Sequence, residues 1–101
     1  MDALLVEKTG PHSLRVFGEL DLAKAGDLEK ILSEEAAQGE DLRIDLSEVD
    51  FMDSAAIGVF ARAAKVLEGK GKLILVSPTN AVRLALDMVR LDARQNVVIE
   101  D

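Results

Sequence analysis

The chain has 101 residues, no cysteine, one histidine, three aromatic residues (all Phe) and a formal net charge of −7. The missing cysteines exclude disulfides and thiolate metal sites. The acidic balance argues against nucleic-acid and anionic-membrane partners, which call for clustered Lys and Arg, and so few aromatics leave no stacking platform for bases. With 49% apolar residues, a chain of this length can build one real core, so a single domain over 1–101 is expected. No apolar run approaches the roughly 18–20 residues that cross a bilayer. Met1-Asp2-Ala3-Leu4 lacks the basic flank of a signal peptide. A soluble, cytoplasmic protein is the expectation.

In chain order, Ala3-Leu4-Leu5-Val6 predicts a short first strand. Lys8-Thr9-Gly10-Pro11 is turn chemistry, and Ser13–Phe17 predicts a second strand paired with the first as a hairpin and ended by Gly18. Asp21 then precedes a helical pattern with Ala25, Leu28, Ile31, Leu32 and Ala36 on one face. Gly26 weakens its first turn, which predicts a late start, and Gly39 is a stop signal. Leu42, Ile44 and Leu46 alternate with Arg43 and Asp45, a strand buried on one face and wet on the other.

A second helix is expected from the Asp53 segment to about Glu68, closed by Gly69-Lys70-Gly71. Leu73–Val76 is a continuous apolar run, as in a central strand. Ser77-Pro78 starts a third helix with Val82, Ala85, Leu86 and Val89 inward. Val97–Ile99 is either a last strand or the start of a disordered end. The architecture expected is α/β, a small mixed but mostly parallel sheet of four to five strands with helices mainly on one face. Functional surface in such sheets gathers at the carboxyl ends of the strands. If the second and third strands are neighbours, Asp21 and Ser54 share one edge.

Most enzyme chemistry finds no support in these residues. A serine nucleophile needs a base. The only histidine, His12, sits in the hairpin turn, at the edge opposite Ser54 if the first strand runs antiparallel, and there is no G-x-S-x-G elbow. Gly69-Lys70-Gly71-Lys72 follows a helix and precedes a strand, the reverse of a P-loop. Zinc is not expected from one His and no Cys. Asp45, Asp50 and Asp53 are close in sequence and could hold Mg²⁺, or be surface acids. No catalytic residue, cofactor or metal is assigned.

Asp53-Ser54 carries the remaining signal. Both residue types are preferred helix N-caps. An exposed helix start also tolerates a phosphate, because free N–H groups and the positive end of the dipole face it. The following helix is apolar over more than one face. Ile57, Phe60, Ala61, Ala64 and Leu67 form a stripe, and Ala55, Val59 and Val66 widen it. That shoulder either packs under the neighbouring helix or is a docking surface.

"DLSEVDFMDSAAIGVF" (45–60) resembles the signature of the STAS domain, in particular of anti-sigma-factor antagonists. "VFGELDLAKAGDLEKIL" (16–32) and "GKLILVSPTNAVRLALDMVRLD" (71–92) are similar to other blocks of that family. The resemblance implies partner switching. An unphosphorylated antagonist binds a serine-kinase anti-sigma factor and frees a sigma factor. Phosphorylation by that kinase ejects the antagonist, and a separate phosphatase resets it. Carried over, the phosphorylated residue is Ser54, the signature Asp is Asp53 and the partner-contacting Asp is Asp21. Leu22, Ala55 and Val59 complete the expected docking surface. The alternative is a constitutive STAS scaffold subunit, as in lipid-transport ATPase complexes, with Ser54 only a cap. Ala56 stands where the family often has Gly.

Overall fold

Pro11 and His12 turn the chain between its first two strands. The computed structural model describes residues 3–101; Met1 and Asp2, part of the stretch read for a leader, lie outside the described residues. The elements are β1 (Leu5–Gly10), β2 (Ser13–Leu20), α1 (Leu22–Ala36), β3 (Leu42–Met52), α2 (Ser54–Leu67), β4 (Leu73–Val76), α3 (Asn80–Met88), a 3-10 turn (Leu91–Ala93) and β5 (Val97–Glu100). The five strands lie in sequence order in one sheet. Only the β1–β2 pair is antiparallel. After the hairpin, every crossover therefore steps one strand along in the same direction. Right-handed crossovers of that kind lay their helices on one face. Burial agrees, since Leu14, Val16, Ile44 and Leu75 of the sheet share one core with Leu28, Leu32, Phe60, Leu67, Val82 and Leu86 of the helices.

The opposite face is the wet one that the Leu42–Leu46 alternation predicts. Arg15 links two carboxylates across three strands, with Nε donating to Asp45 Oδ2 at 3.0 Å and Nη1 lying 3.4 Å from Glu7 Oε1. Arg43 reaches over β4 to Glu100 at 2.7 Å. This arch crosses the strand that carries Ile74, which is 9% exposed although it lies outside the helix-covered core.

Several boundaries move, each for a tertiary reason. β1 starts and ends later than predicted, leaving only Pro11-His12 as the turn, with His12 in the left-handed region at φ 55°. β2 continues through Gly18 to Leu20. Gly18 has φ 89°, a conformation costly for any side chain, so it bends the strand without ending it. The reason lies on β3. Between Arg15↔Asp45 and Phe17↔Glu48, and again between Gly18↔Val49 and Glu19↔Phe51, β3 spends one residue more than β2. These are two bulges. They change the buried positions on β3 from every second residue (Leu42, Ile44, Leu46) to every third (Val49, Met52).

α3 begins at Asn80, two residues beyond Pro78. Thr79 Oγ1 donates to Val49 O at 2.9 Å, tying the helix entry to the part of β3 beyond its pairing with β4. Val82 and Leu86 are buried as expected, Ala85 only partly. Val89 is a correction: it lies past the end of α3 and is 52% exposed, because Arg90 at φ 55° ends the helix there. Val97–Glu100 is a strand, not a disordered end.

The wet-face pairing makes a pH prediction. Burial pushes the Asp45 carboxyl up, but hydrogen bonds from the Ser47 hydroxyl and backbone N–H and the Arg15 guanidinium outweigh it and hold it below its usual value. A depressed carboxylate stabilises the fold above its unfolded pKa of about 4 and loses that contribution as pH falls below it. Asp45→Asn is therefore expected to be less stable than the parent in urea denaturation at pH 7, with the gap narrowing at pH 3. An unchanged gap at pH 3 would contradict this assignment.

Candidate functional site

The parallel pairing of β2 and β3 brings Leu20 opposite Met52, so the two strands end at the same edge. Asp53 N donates to Leu20 O at 3.1 Å, which continues the ladder by one residue. The chain then turns into a helix from each strand, α1 after Asp21 and α2 after Asp53. The predicted shared edge of Asp21 and Ser54 is found. His12 lies at the start of β2, at the other end of the sheet, where its carbonyl accepts from Arg43 N.

The two acids behave differently. Asp53 is the N-cap of α2, and Oδ1 accepts from Ala56 N at 3.1 Å. Its Oδ2 accepts from Leu22 N at 3.0 Å, the first residue of the other helix. One carboxylate thus meets the positive ends of two helices. Asp21 occupies the N-cap position of α1 but makes no side-chain cap bond, since Asp53 fills that role. Asp21 Oδ1 is buried without a hydrogen-bond partner among the described residues. This external cap also explains why α1 starts at Leu22 despite Gly26. No local pattern signals it, because the donor and acceptor are 31 residues apart.

Ser54 is the first residue of α2, is exposed, and its hydroxyl makes no hydrogen bond among the described residues. Asp53, and not Ser54, is the cap, which corrects the reading of Ser54 as a capping residue. Leu22 is 76% exposed, an apolar side chain in water beside the cap, and Ala55 is half-buried. Val59 is a second correction. It is 1% exposed, facing Leu32 and Ser33 across the seam between α1 and α2, so this part of the shoulder packs under the neighbouring helix and offers no docking surface. Arg62 Nε donates to Glu29 Oε1 at 2.6 Å across the same seam. Among the described residues no three His, Asp or Glu side chains gather as a metal site. Asp45 is engaged by Arg15, Asp50 is exposed and Asp53 is engaged by backbone N–H groups. No helix among them is long and apolar enough to cross a membrane.

The STAS domain sequence profile matches residues 3–98. The chain belongs to the STAS domain family. It is 40% identical over 58 residues to the anti-sigma-B factor antagonist of Bacillus subtilis (strain 168), an alignment covering 57% of this chain and 53% of that protein. The chain thus spans about half the length of that relative. Its fold is similar to a crystal structure of an anti-sigma factor antagonist from Mycobacterium paratuberculosis, with TM-score 0.78, 26% identity, and 94% and 83% of the two chains covered. It also resembles the Bacillus cell fate determinant SpoIIAA in its phosphorylated form, with TM-score 0.68, 22% identity, and 95% and 89% covered.

In this STAS domain Asp53 caps the start of α2 and Ser54 does not. Asp53→Ala removes two charge-assisted bonds to helix N-termini and is expected to cost about 2–3 kcal/mol. Ser54→Ala removes an exposed, unbonded hydroxyl and should stay within about 0.5 kcal/mol of the parent. Urea denaturation of both variants checks this difference. Equal losses would mean that Ser54 carries part of the cap.

Proposed function

We propose that this STAS domain is an anti-sigma-factor antagonist that works by partner switching in the cytoplasm. With Ser54 unmodified it binds a serine-kinase anti-sigma factor and frees a sigma factor. With Ser54 phosphorylated it is released, and a phosphatase restores it. The observation that carries this reading is the free, exposed Ser54 hydroxyl on a helix start whose capping is already done by Asp53. The names of the relatives support the same class.

The hydroxyl can leave solvent for a kinase active site without uncapping α2. Its oxygen would form a bond to the γ-phosphorus of ATP as the bond from that phosphorus to the β–γ bridging oxygen breaks. ADP departs, and a base of the kinase takes the hydroxyl proton. The docking surface proposed is the exposed Leu22 with Asp21 and Ala55 around Ser54. Asp21 Oδ1, buried and unbonded, is an acceptor that a partner donor could satisfy. Asp53, with both oxygens occupied, would shape this surface more than touch the partner.

Ejection follows from electrostatics. A phosphate adds about −1.5 to −2 charge to an edge that already carries Asp21 and Asp53. Shifting a 99:1 complex to 1:99 takes about 5.5 kcal/mol of differential binding, and a buried charge without a partner supplies about 3–5 kcal/mol. The decisive experiment is incubation with the candidate serine kinases and Mg-ATP followed by mass spectrometry, with one phosphate expected on Ser54. Ser54→Asp should weaken kinase binding about 100-fold while Ser54→Ala preserves it. A Ser54→Asp variant that binds like the parent would defeat the ejection mechanism. No phosphate with any such kinase would favour the scaffold subunit.

A further inference from the structure

We propose that Arg62 is the built-in counter-ion for a phosphate on Ser54, and that in taking this role it leaves Glu29 and opens the salt bridge between α1 and α2. The inference rests on the reading of Ser54 as a modification site.

Residues 54, 58 and 62 are spaced four apart on α2 and stack along one face of the helix. Long side chains on a helix lean toward its N-terminus, so Arg62 leans toward Ser54. The residue between them is Gly58, and the Arg62 guanidinium lies directly over it. A Cβ at position 58 would stand 3.3 Å from Nη1 and 3.9 Å from Cζ and Nη2. The glycine, unfavourable within a helix, leaves the lane from Arg62 to Ser54 open. Nε is held by Glu29 Oε1 at 2.6 Å, while Nη1 and Nη2 have no acceptor among the described residues. The pair is exposed, with 59% of the arginine side chain and 40% of the glutamate side chain accessible. Such a pair is weak and easily exchanged.

A phosphate on Ser54 changes the competition. It presents three acceptor oxygens and nearly two charges, which suit the fork of a guanidinium better than one carboxylate oxygen does. Ser54 is four residues, about 6 Å along the helix axis, from Gly58, the residue the guanidinium now covers. To bridge that gap Arg62 has to give up its present rotamer and its bond to Glu29, and the phosphate has to lean back along the lane toward it. Asp53 and Asp21 on the same edge repel the phosphate, so an opposite charge arriving along the open lane has no rival on α2. Lys65, the other cation of α2, is seven residues past Gly58.

The test installs phosphoserine at position 54 during translation, so no kinase is needed, and follows the phosphate by ³¹P NMR through its second ionisation. Arg62 favours the dianion, so the midpoint in the parent should lie about 0.5–1 unit below that of Arg62→Gln. Gly58→Ala, which places a methyl in the lane, should raise the midpoint similarly, and Glu29→Gln should lower it by freeing the arginine. Identical midpoints in the parent and Arg62→Gln, or in the parent and Gly58→Ala, overturn the proposal. A kinase that ignores Ser54 would defeat the proposed function and leave this titration unchanged.

Discussion

One carboxylate at two helix starts organises the edge that carries Ser54. Asp53 accepts from Ala56 N of its own helix and from Leu22 N of the other. Each helix end leaves backbone donors unpaired, and an anion there gains from both the hydrogen bond and the dipole. Because one side chain serves both, α1 and α2 enter the structure in fixed relation to each other and to the ends of β2 and β3. The seam below follows, with Val59 buried between the helices and the Glu29–Arg62 pair across its rim. So does the freedom of Ser54, which would otherwise be the obvious residue to cap α2.

The sheet delivers Asp53 to that place. A regular β3 buries every second residue, and such a strand of this length would carry its end out of step with Leu20 of β2. The two bulges take up two residues, so that Leu20 pairs with Met52 instead of Asp50, and they leave Asp53 N within reach of Leu20 O. Gly18 provides the matching bend on β2. The irregularity lies at the Asp53 end of the strand, while the half that pairs with β4 stays regular and supports the Arg15 and Arg43 ion pairs on the wet face.

What could be read from the chain follows the range of the forces involved. Apolar period and turn residues announced the three helices, the hairpin, the one-sided covering and, on the condition that the second and third strands are neighbours, the shared edge of Asp21 and Ser54. Those signals lie within a few neighbouring residues. The misplaced features depend on contacts between distant ones. α1 starts at Leu22 because of Asp53, α3 starts late because Thr79 is tied to Val49, and β2 outruns Gly18 because β3 bulges beside it. The burial of Val59 was open in the same way, since an apolar shoulder on a helix reads alike whether a partner or a neighbouring helix covers it.

Ala56, the departure from the family pattern, gains a physical reading from this geometry. Its side chain is fully buried and its N–H is the donor that Asp53 caps. The methyl group therefore faces the core, and a partner approaching Ser54 meets Leu22, Asp21 and the outer side of the first turn. A glycine here would loosen the start of α2, since Gly in a helix costs about 1 kcal/mol relative to Ala. Alanine holds that turn more firmly and leaves the exposed surface unaltered. The consequence of Ala56 is then one of rigidity: Ser54 is offered on a helix start that is already formed. Any partner that requires the first turn to unwind must break the Asp53 cap to obtain it. Recognition of Ser54 with the turn intact is the arrangement this site favours.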